Sequence, residues 1–311
     1  MPTGKLAFEN SDLMLKKVLF YLDWFWRCKF KGEKIPLNSS VIITDDCNLH
    51  CAHCSVAHLG YPQRSYPMIA SDIEVLFRKG SRMLVITGGE PFLWHDARLC
   101  LEDVIGFAKK LGFFRVVVCT NGTFELESKA DYLWVSLDGE VAEHNVIRGD
   151  IYNNVLGNLR KSDHKGVYIN FTVSTLNFKN FERSAEEIFR IKNVKGIFFH
   201  IFTPYIGADG RLVLDETQRS AVMETLMKIK RKHPVKTVNT FDGLKCLKSN
   251  RWERPIWSSV TVNQGEVGPC CCRRGIYDEF VCRQCGCSPA VESFVLQELK
   301  PMAVIENLRF L

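Results

Sequence analysis

Six short apolar runs recur along the first two thirds of the chain: Val41-Ile42-Ile43-Thr44, Met83 to Thr87, Arg115 to Cys119, Tyr132 to Leu137, Val167 to Val173 and Gly196 to Ile201. The first is wholly β-branched, which suits a strand buried on both faces of a parallel sheet. Helical stretches separate the runs, near Ala70 to Lys79, Ala97 to Lys110, residues 151 to 161 and Phe181 to Ile191. A further amphipathic helix is expected from about Glu216 to Arg231, where Val222, Leu226 and Ile229 stand at three- and four-residue spacing. Strands alternating with helices predict an α/β fold with parallel strands joined by right-handed crossovers.

Residues 12 to 31 have a different texture. Leu13, Leu15, Val18, Leu19, Phe20, Tyr21, Leu22, Trp24, Phe25 and Trp26 are flanked by Lys16, Lys17, Arg27, Lys29 and Lys31. Such a helix either lies in a membrane interface or is apolar most of the way round because it packs on the body of the protein. Beyond residue 235, the run Trp257 to Val262, a turn at Asn263-Gln264-Gly265 and a second strand into Gly268-Pro269-Cys270-Cys271-Cys272 predict a hairpin. Cys282, Cys285 and Cys287 follow, then a final helix near Ala290 to Lys300.

With 311 residues the chain can form one large α/β domain and a small appendage. Apolar residues at 46% and charged residues at 24% exclude global disorder. A net charge of +6 without a basic run gives no reason to expect nucleic acid. Thirteen cysteines behind a Met1-Pro2-Thr3-Gly4-Lys5 start, with no apolar leader, are expected to stay reduced in the cytoplasm. No run approaches the ~20 apolar residues that span a bilayer, so only peripheral membrane contact is in view.

The candidate chemistry lies directly after the first strand. Cys47, Cys51 and Cys54 fall in Cys-Asn-Leu-His-Cys-Ala-His-Cys, so one loop can turn three thiolates towards one centre. A 4Fe-4S cluster normally takes four, and three leave one iron open to a ligand that is not protein. The alternative is zinc, for which His50, His53 or His58 could complete the set. The spacing resembles the signature of the radical S-adenosylmethionine (radical SAM) superfamily. Gly88-Gly89-Glu90-Pro91 follows the second strand as that family's glycine-rich loop does. The resemblance implies a partial (β/α)6 barrel over residues 38–235 behind an N-terminal lead-in, residues 1–37. It also implies reductive cleavage of SAM to methionine and a 5′-deoxyadenosyl radical, with electrons from a donor such as flavodoxin or ferredoxin. Gly88, Gly89, Glu90 and Asn121 would then bind cofactor, with Ser136 at the ribose or methionine end, Arg148 at the SAM carboxylate and His53 against adenine.

Ser136-Leu137-Asp138-Gly139, with His144 and Arg148-Gly149, is similar to a pattern in the peptide-modifying branch. Gly265 to Cys270 with the later Cys282-Arg283-Gln284-Cys285 resembles the short "twitch" form of the SPASM auxiliary-cluster domain, here residues 236–311. That implies a second 4Fe-4S cluster held by Cys246, Cys270, Cys282 and Cys285, with zinc as the alternative metal. Helix 12–31 is similar in layout to radical SAM enzymes acting on hopanoid lipid precursors, and makes an apolar or lipid-linked small molecule the first expected substrate. Trp24, Phe25 and Trp26 would enter the headgroups. A peptide is the second expectation, and a non-catalytic iron-sulfur or zinc protein the third.

Overall fold

The computed structural model describes residues 3–205, 207–269 and 277–307, with side chains from Met14 onward. In chain order it contains α1 (Thr3–Phe30), β1 (Asn38–Ile42), α2 (Tyr66–Arg78), β2 (Met83–Thr87), β3 (His95–Asp96), β4 (Leu99–Cys100), α3 (Leu101–Leu111), β5 (Arg115–Thr120) and β6 (Tyr132–Ser136). Then follow α4 (Val141–Arg148), α5 (Tyr152–Lys161), β7 (Val167–Val173), α6 (Phe181–Phe189), β8 (Val194–Ile201), α7 (Glu216–Lys232), α8 (Phe241–Ser249), β9 (Ser259–Asn263), β10 (Glu266–Gly268), α9 (Glu279–Arg283), α10 (Ser288–Gln297) and α11 (Pro301–Asn307).

The six expected strands pair in parallel and in chain order, as β1-β2-β5-β6-β7-β8. This is the partial (β/α)6 barrel. Strand β7 shows why it curls into two layers: Val167, Ile169, Phe171 and Val173 are fully buried against the helices, whereas Tyr168, Asn170 and Thr172 stay partly open on the inner face. The helix expected from Ala97 begins only at Leu101, because residues 95–100 form a small hairpin and Asp103 accepts from the Cys100 N–H at 2.8 Å. Helix α7 starts at a capping box, in which Asp215 and Gln218 exchange bonds of 2.8 and 3.0 Å.

The C-terminal hairpin joins the barrel's own sheet. Strand β9 lies parallel to β1, with Asn38 opposite Ser259, and β10 turns back antiparallel to it. Helix α10 fills the open side between the sheet's two ends. Its Ser288 hydroxyl bonds Phe199 O on β8, and Ser293 Oγ accepts from Asn38 Nδ2 on β1 at 3.1 Å. Asn239 acts as a side-chain extension of the sheet, accepting from Phe199 N and donating to Phe199 O, each at 2.9 Å. Helix α8 was not foreseen, because Gly243 sits in its first turn. A Cβ there would lie 2.4 Å from Glu292 Oε1 of α10, so a larger residue would displace that carboxylate.

Helix α1 covers the strands' N-terminal ends. Trp24 is 4% exposed and its indole N–H donates to Ile35 O at 3.0 Å, just before β1. Phe20 packs edge-on against Phe114 at 5.3 Å between centroids, beneath Arg82. Insertion of Trp24 into headgroups is therefore overturned: the ring belongs to the protein's interior. Leu15, Leu19, Leu22, Trp26 and Phe30 do remain exposed along the opposite face. Among the described residues no helix is long and apolar enough to cross a membrane.

The two tryptophans should therefore separate in their effect on stability. Trp24→Ala should lose about 3–5 kcal/mol in denaturant unfolding, whereas Trp26→Ser should stay within about 0.5 kcal/mol. Equal losses in the two variants would show that α1 is not docked through Trp24.

Candidate active site

The carboxyl ends of the strands bring the expected residues to one mouth. The β1 loop is held first by backbone: Gly89 N donates to Thr44 O at 2.9 Å and Glu90 N to Asp46 O at 2.8 Å. Both glycines are obligatory, though for contact with chain rather than with a ligand. A Cβ on Gly88 (φ 151°) would lie 2.4 Å from Thr44 O, and one on Gly89 would lie 2.0 Å from Asp46 O. Further along the loop, Asp45 Oδ2 accepts from the backbone of Gly60 and Tyr61, closing the segment that carries the cysteines. Arg64 anchors its far end, bonding Ile42 O at 2.7 Å and Asp72 at 2.5 Å.

Within that segment, Cys54 N donates to Cys51 O at 3.0 Å. The three thiols lie close enough that Cys47 and Cys54 both act on Cys51 electrostatically. Burial pushes the Cys47 and Cys51 thiols up, and each faces a nitrogen donor: Asn121 Nδ2 to Cys47 Sγ and Arg148 Nη1 to Cys51 Sγ, both at 3.8 Å. Two of the three histidines available to zinc are hydrogen-bonded elsewhere. His58 Nε2 bonds Leu49 O at 2.8 Å and its ring stacks on His50, while His53 Nε2 faces Arg148 at 3.2 Å. Burial first and Arg148 second lower the His53 pKa to about 4, so the ring is neutral at physiological pH. Among the described residues no three histidine, cysteine or acidic side chains form a ready-made site for a single metal ion.

Glu90 is fully buried. Its carboxylate accepts from Thr120 Oγ1 at 2.8 Å, Asn121 N at 2.7 Å and Phe92 N at 3.2 Å, so it ties the glycine loop to the end of β5. Burial raises its pKa to about 7 despite those donors. Asn121 in turn donates to Asn48 Oδ1 at 2.8 Å. Arg148 ends α4 and spans two loops: Nε meets Asp138 at 2.6 Å while the η nitrogens face His53 and Cys51. Asp138 is a wholly buried anchor that also accepts from Thr172 N at 2.7 Å. Burial alone would raise its pKa, but Arg148, His53 and that N–H together bring it below the usual carboxylate value.

The inner wall holds Ser136, Asn170 and His200. Ser136 ends β6 opposite Asn170, and its hydroxyl meets no protein partner among the described residues. His200 lies between Asn170 Oδ1 at 3.3 Å and the Ser288 N–H at 3.4 Å. Ser288 N can only donate, so Nδ1 accepts and Nε2 carries the proton towards Asn170. Asn170 continues the file to Cys119 Sγ at 4.0 Å. Tyr205, which sequence reading missed, donates to His53 O at 2.5 Å and draws the segment after β8 over the cysteine loop.

The C-terminal cysteines separate. Cys282 and Cys285 are buried together in one turn, where Cys285 N bonds Cys282 O at 3.1 Å and Cys285 Sγ accepts from Cys287 N at 3.3 Å. Gly286 docks that turn on β8: Ile201 N donates to its carbonyl at 3.1 Å, and a Cβ would lie 2.3 Å from Ile201 O. Cys246 lies on α8, and the charges acting on it come from Lys300, Asp242, Glu292 and Lys245. Cys270, with Cys271 and Cys272, lies outside the described residues.

A partial parallel barrel with three thiols on the loop after its first strand defines a class, and the comparisons agree with it. Residues 41–190 match the model of the radical SAM superfamily. Its members use a 4Fe-4S cluster and SAM. Two curated proteins are similar over part of the barrel. 7-Carboxy-7-deazaguanine synthase of Halobacterium salinarum is 29% identical over 114 residues, 36% of this chain and 42% of that protein. The antilisterial bacteriocin subtilosin biosynthesis protein AlbA of Bacillus subtilis is 33% identical over 129 residues, 37% of this chain and 27% of AlbA. In fold, the chain is similar to Streptococcus suis SuiB bound to its precursor peptide SuiA, with a TM-score of 0.60 at 13% identity over 79% of this chain and 62% of SuiB. It also resembles anSMEcpe with bound AdoMet and the Kp18Cys peptide, with a TM-score of 0.52 at 19% identity over 64% of this chain and 61% of that one. The chain thus spans less than two thirds of each of these proteins.

Glu90 makes a pH prediction. Its folded pKa of about 7 lies above the ordinary 4.5, so its contribution to stability is complete below pH 4.5 and is lost as pH rises through about 7. Unfolding free energy of the parent chain should fall relative to Glu90→Gln across that window and run parallel above it. A flat difference curve would show a carboxylate ionised throughout.

Proposed function

We propose that this chain is a radical SAM enzyme that modifies a peptide, with Cys47, Cys51 and Cys54 as ligands of a 4Fe-4S cluster and a second metal centre at its C-terminal cysteines. The observation that carries the reading is the three-thiol loop, clasped by Gly88 and Gly89 and faced by amide and guanidinium donors at Cys47 and Cys51. N–H donors to sulfur favour thiolate over thiol, and two of the three histidines that zinc could draw on, His53 and His58, are hydrogen-bonded elsewhere. The residues therefore fit the cluster. When bound, cluster and SAM supply one-electron reductive cleavage of the sulfonium, which requires a low-potential donor of the flavodoxin or ferredoxin kind.

This chain's residues orient and exclude. Arg148 holds Cys51 and His53 against the β6 loop, with its charge balanced by Asp138. Ser136 offers the mouth a hydroxyl not used by the protein, which suits contact with SAM. The neutral file of His200, Asn170 and Cys119 gives a substrate hydrogen-bonding groups without a competing charge. Gly88 and Gly89 serve the cofactor by placing the loop, and Glu90 by fixing the end of β5. Peptide is favoured as substrate because SuiB and anSMEcpe, which share the fold, are seen with peptides bound. The apolar or lipid-linked substrate finds no support among these proteins, and Trp24 is core.

Three measurements test the reading. Replacing Cys47, Cys51 and Cys54 with alanine should abolish 5′-deoxyadenosine formation under reducing, anaerobic conditions; undiminished SAM cleavage would overturn the ligand assignment. In the parent chain, deuterium from a labelled peptide pool should enter 5′-deoxyadenosine, and entry from a labelled lipid extract instead would reverse the substrate choice. Iron and sulfide should each total about eight per chain, whereas about four irons with one zinc would make the second centre a structural zinc site.

A further inference from the structure

The turn of Cys282 and Cys285 is flanked by two positive charges that meet no carboxylate among the described residues. Arg254 stacks over Trp252, 4.4 Å from the ring centroid. Its Nη2 donates to Arg283 O, inside the cysteine turn, at 3.0 Å and to Asn250 Oδ1 at 2.5 Å, and its Nη1 donates to Trp252 O at 2.9 Å. Its Nε is buried without a partner. Arg219, on α7, gives one long bond of 3.4 Å to Leu247 O and lines a cavity of about 90 Å³ with Asn250, Gln284 and Ile201. Among the described residues neither guanidinium meets an acid. Both lie within electrostatic reach of Cys285, and Arg254 also of Cys282.

Removing a guanidinium from water is costly unless an anion answers it. Here two cations share one desolvated corner and repel each other. Asp278 and Glu279 stand at the start of α9, but the acidic groups that act on the two guanidinium groups among the described residues are the sulfurs of Cys285 and, for Arg254, Cys282. A protonated pair of thiols would leave both charges uncompensated. Thiolates on a metal carry net negative charge, and the Cys287 N–H aimed at Cys285 Sγ adds a donor suited to it.

We infer that Arg219 and Arg254 are the counter-charge of an anionic, thiolate-held metal centre at Cys282 and Cys285, and that they set how tightly this chain retains that metal. This rests on the reading of the two cysteines as ligands, and the test separates the two. The full-length chain carrying Cys47→Ala, Cys51→Ala and Cys54→Ala confines metal to the C-terminal site, and its iron and zinc are counted during challenge with a chelator. Arg219→Gln with Arg254→Gln should shed metal about 10- to 100-fold more readily, while the Arg→Lys pair, which keeps the charge, should stay near the parent. Equal retention in the Gln pair, or equal loss in the Lys pair, overturns the counter-charge. Metal that survives Cys282→Ser with Cys285→Ser overturns the ligand reading beneath it. Should the Gln pair fail to fold, as judged by circular dichroism of the metal-free chains, Arg219→Gln alone carries the test. Its guanidinium contributes only the one long bond to the fold, so faster metal loss supports the inference and unchanged retention overturns it.

Discussion

Two backbone hydrogen bonds hold the mouth of this barrel together. Gly89 N to Thr44 O and Glu90 N to Asp46 O lock the loop after β2 against the loop after β1. The contact is close enough that no Cβ fits at Gly88 or Gly89. Once the loops are clasped, Glu90 must turn inward, where Thr120 and Asn121 receive it. Asn121 is thereby aimed at Asn48 and Cys47. One steric constraint thus propagates across three strand ends to a sulfur. The same carboxylate that makes the clasp rigid makes it sensitive to protonation, because it is buried.

The sheet and most helices were legible in the sequence because their signals are local. Apolar runs gave all six barrel strands, and the turn at Asn263-Gln264-Gly265 gave the C-terminal hairpin. What was not legible depends on contacts distant in sequence. Nothing in Phe241-Asp242-Gly243 announces a helix, since the reason for glycine is Glu292 of α10. Asp138-Gly139 looks like a turn until Arg148 and Thr172 are in place. Gly286 is one glycine between two cysteines, and only its approach to Ile201 O shows that it docks the turn on β8. The aromatic stretch of α1 was ambiguous by nature. Helical spacing puts Trp24 and Trp26 on different faces, and only the position of Ile35 decides which one is core.

The region beyond residue 235 takes part in building the barrel. Strand β9 extends the sheet past β1, and α10 reaches both β8 and β1 across the open side. The barrel's C-terminal mouth and the cysteine turn are consequently joined by short chemical links. Ser288 follows Cys287, bonds Phe199 O through its hydroxyl and gives its N–H to His200. A change at the turn can therefore reach His200 and, through Asn170, the inner wall.

The two thiol groups sit in opposite electrostatic settings, and this separates what each can hold. At the first, Arg148 is balanced by Asp138 at 2.6 Å, so the protein adds almost no net charge beside Cys51. At the second, Arg219 and Arg254 meet no carboxylate among the described residues, and both act on Cys285. Positive surroundings stabilise the more negative state of whatever is bound. A redox group held equally by both loops would accept an electron more readily at the second.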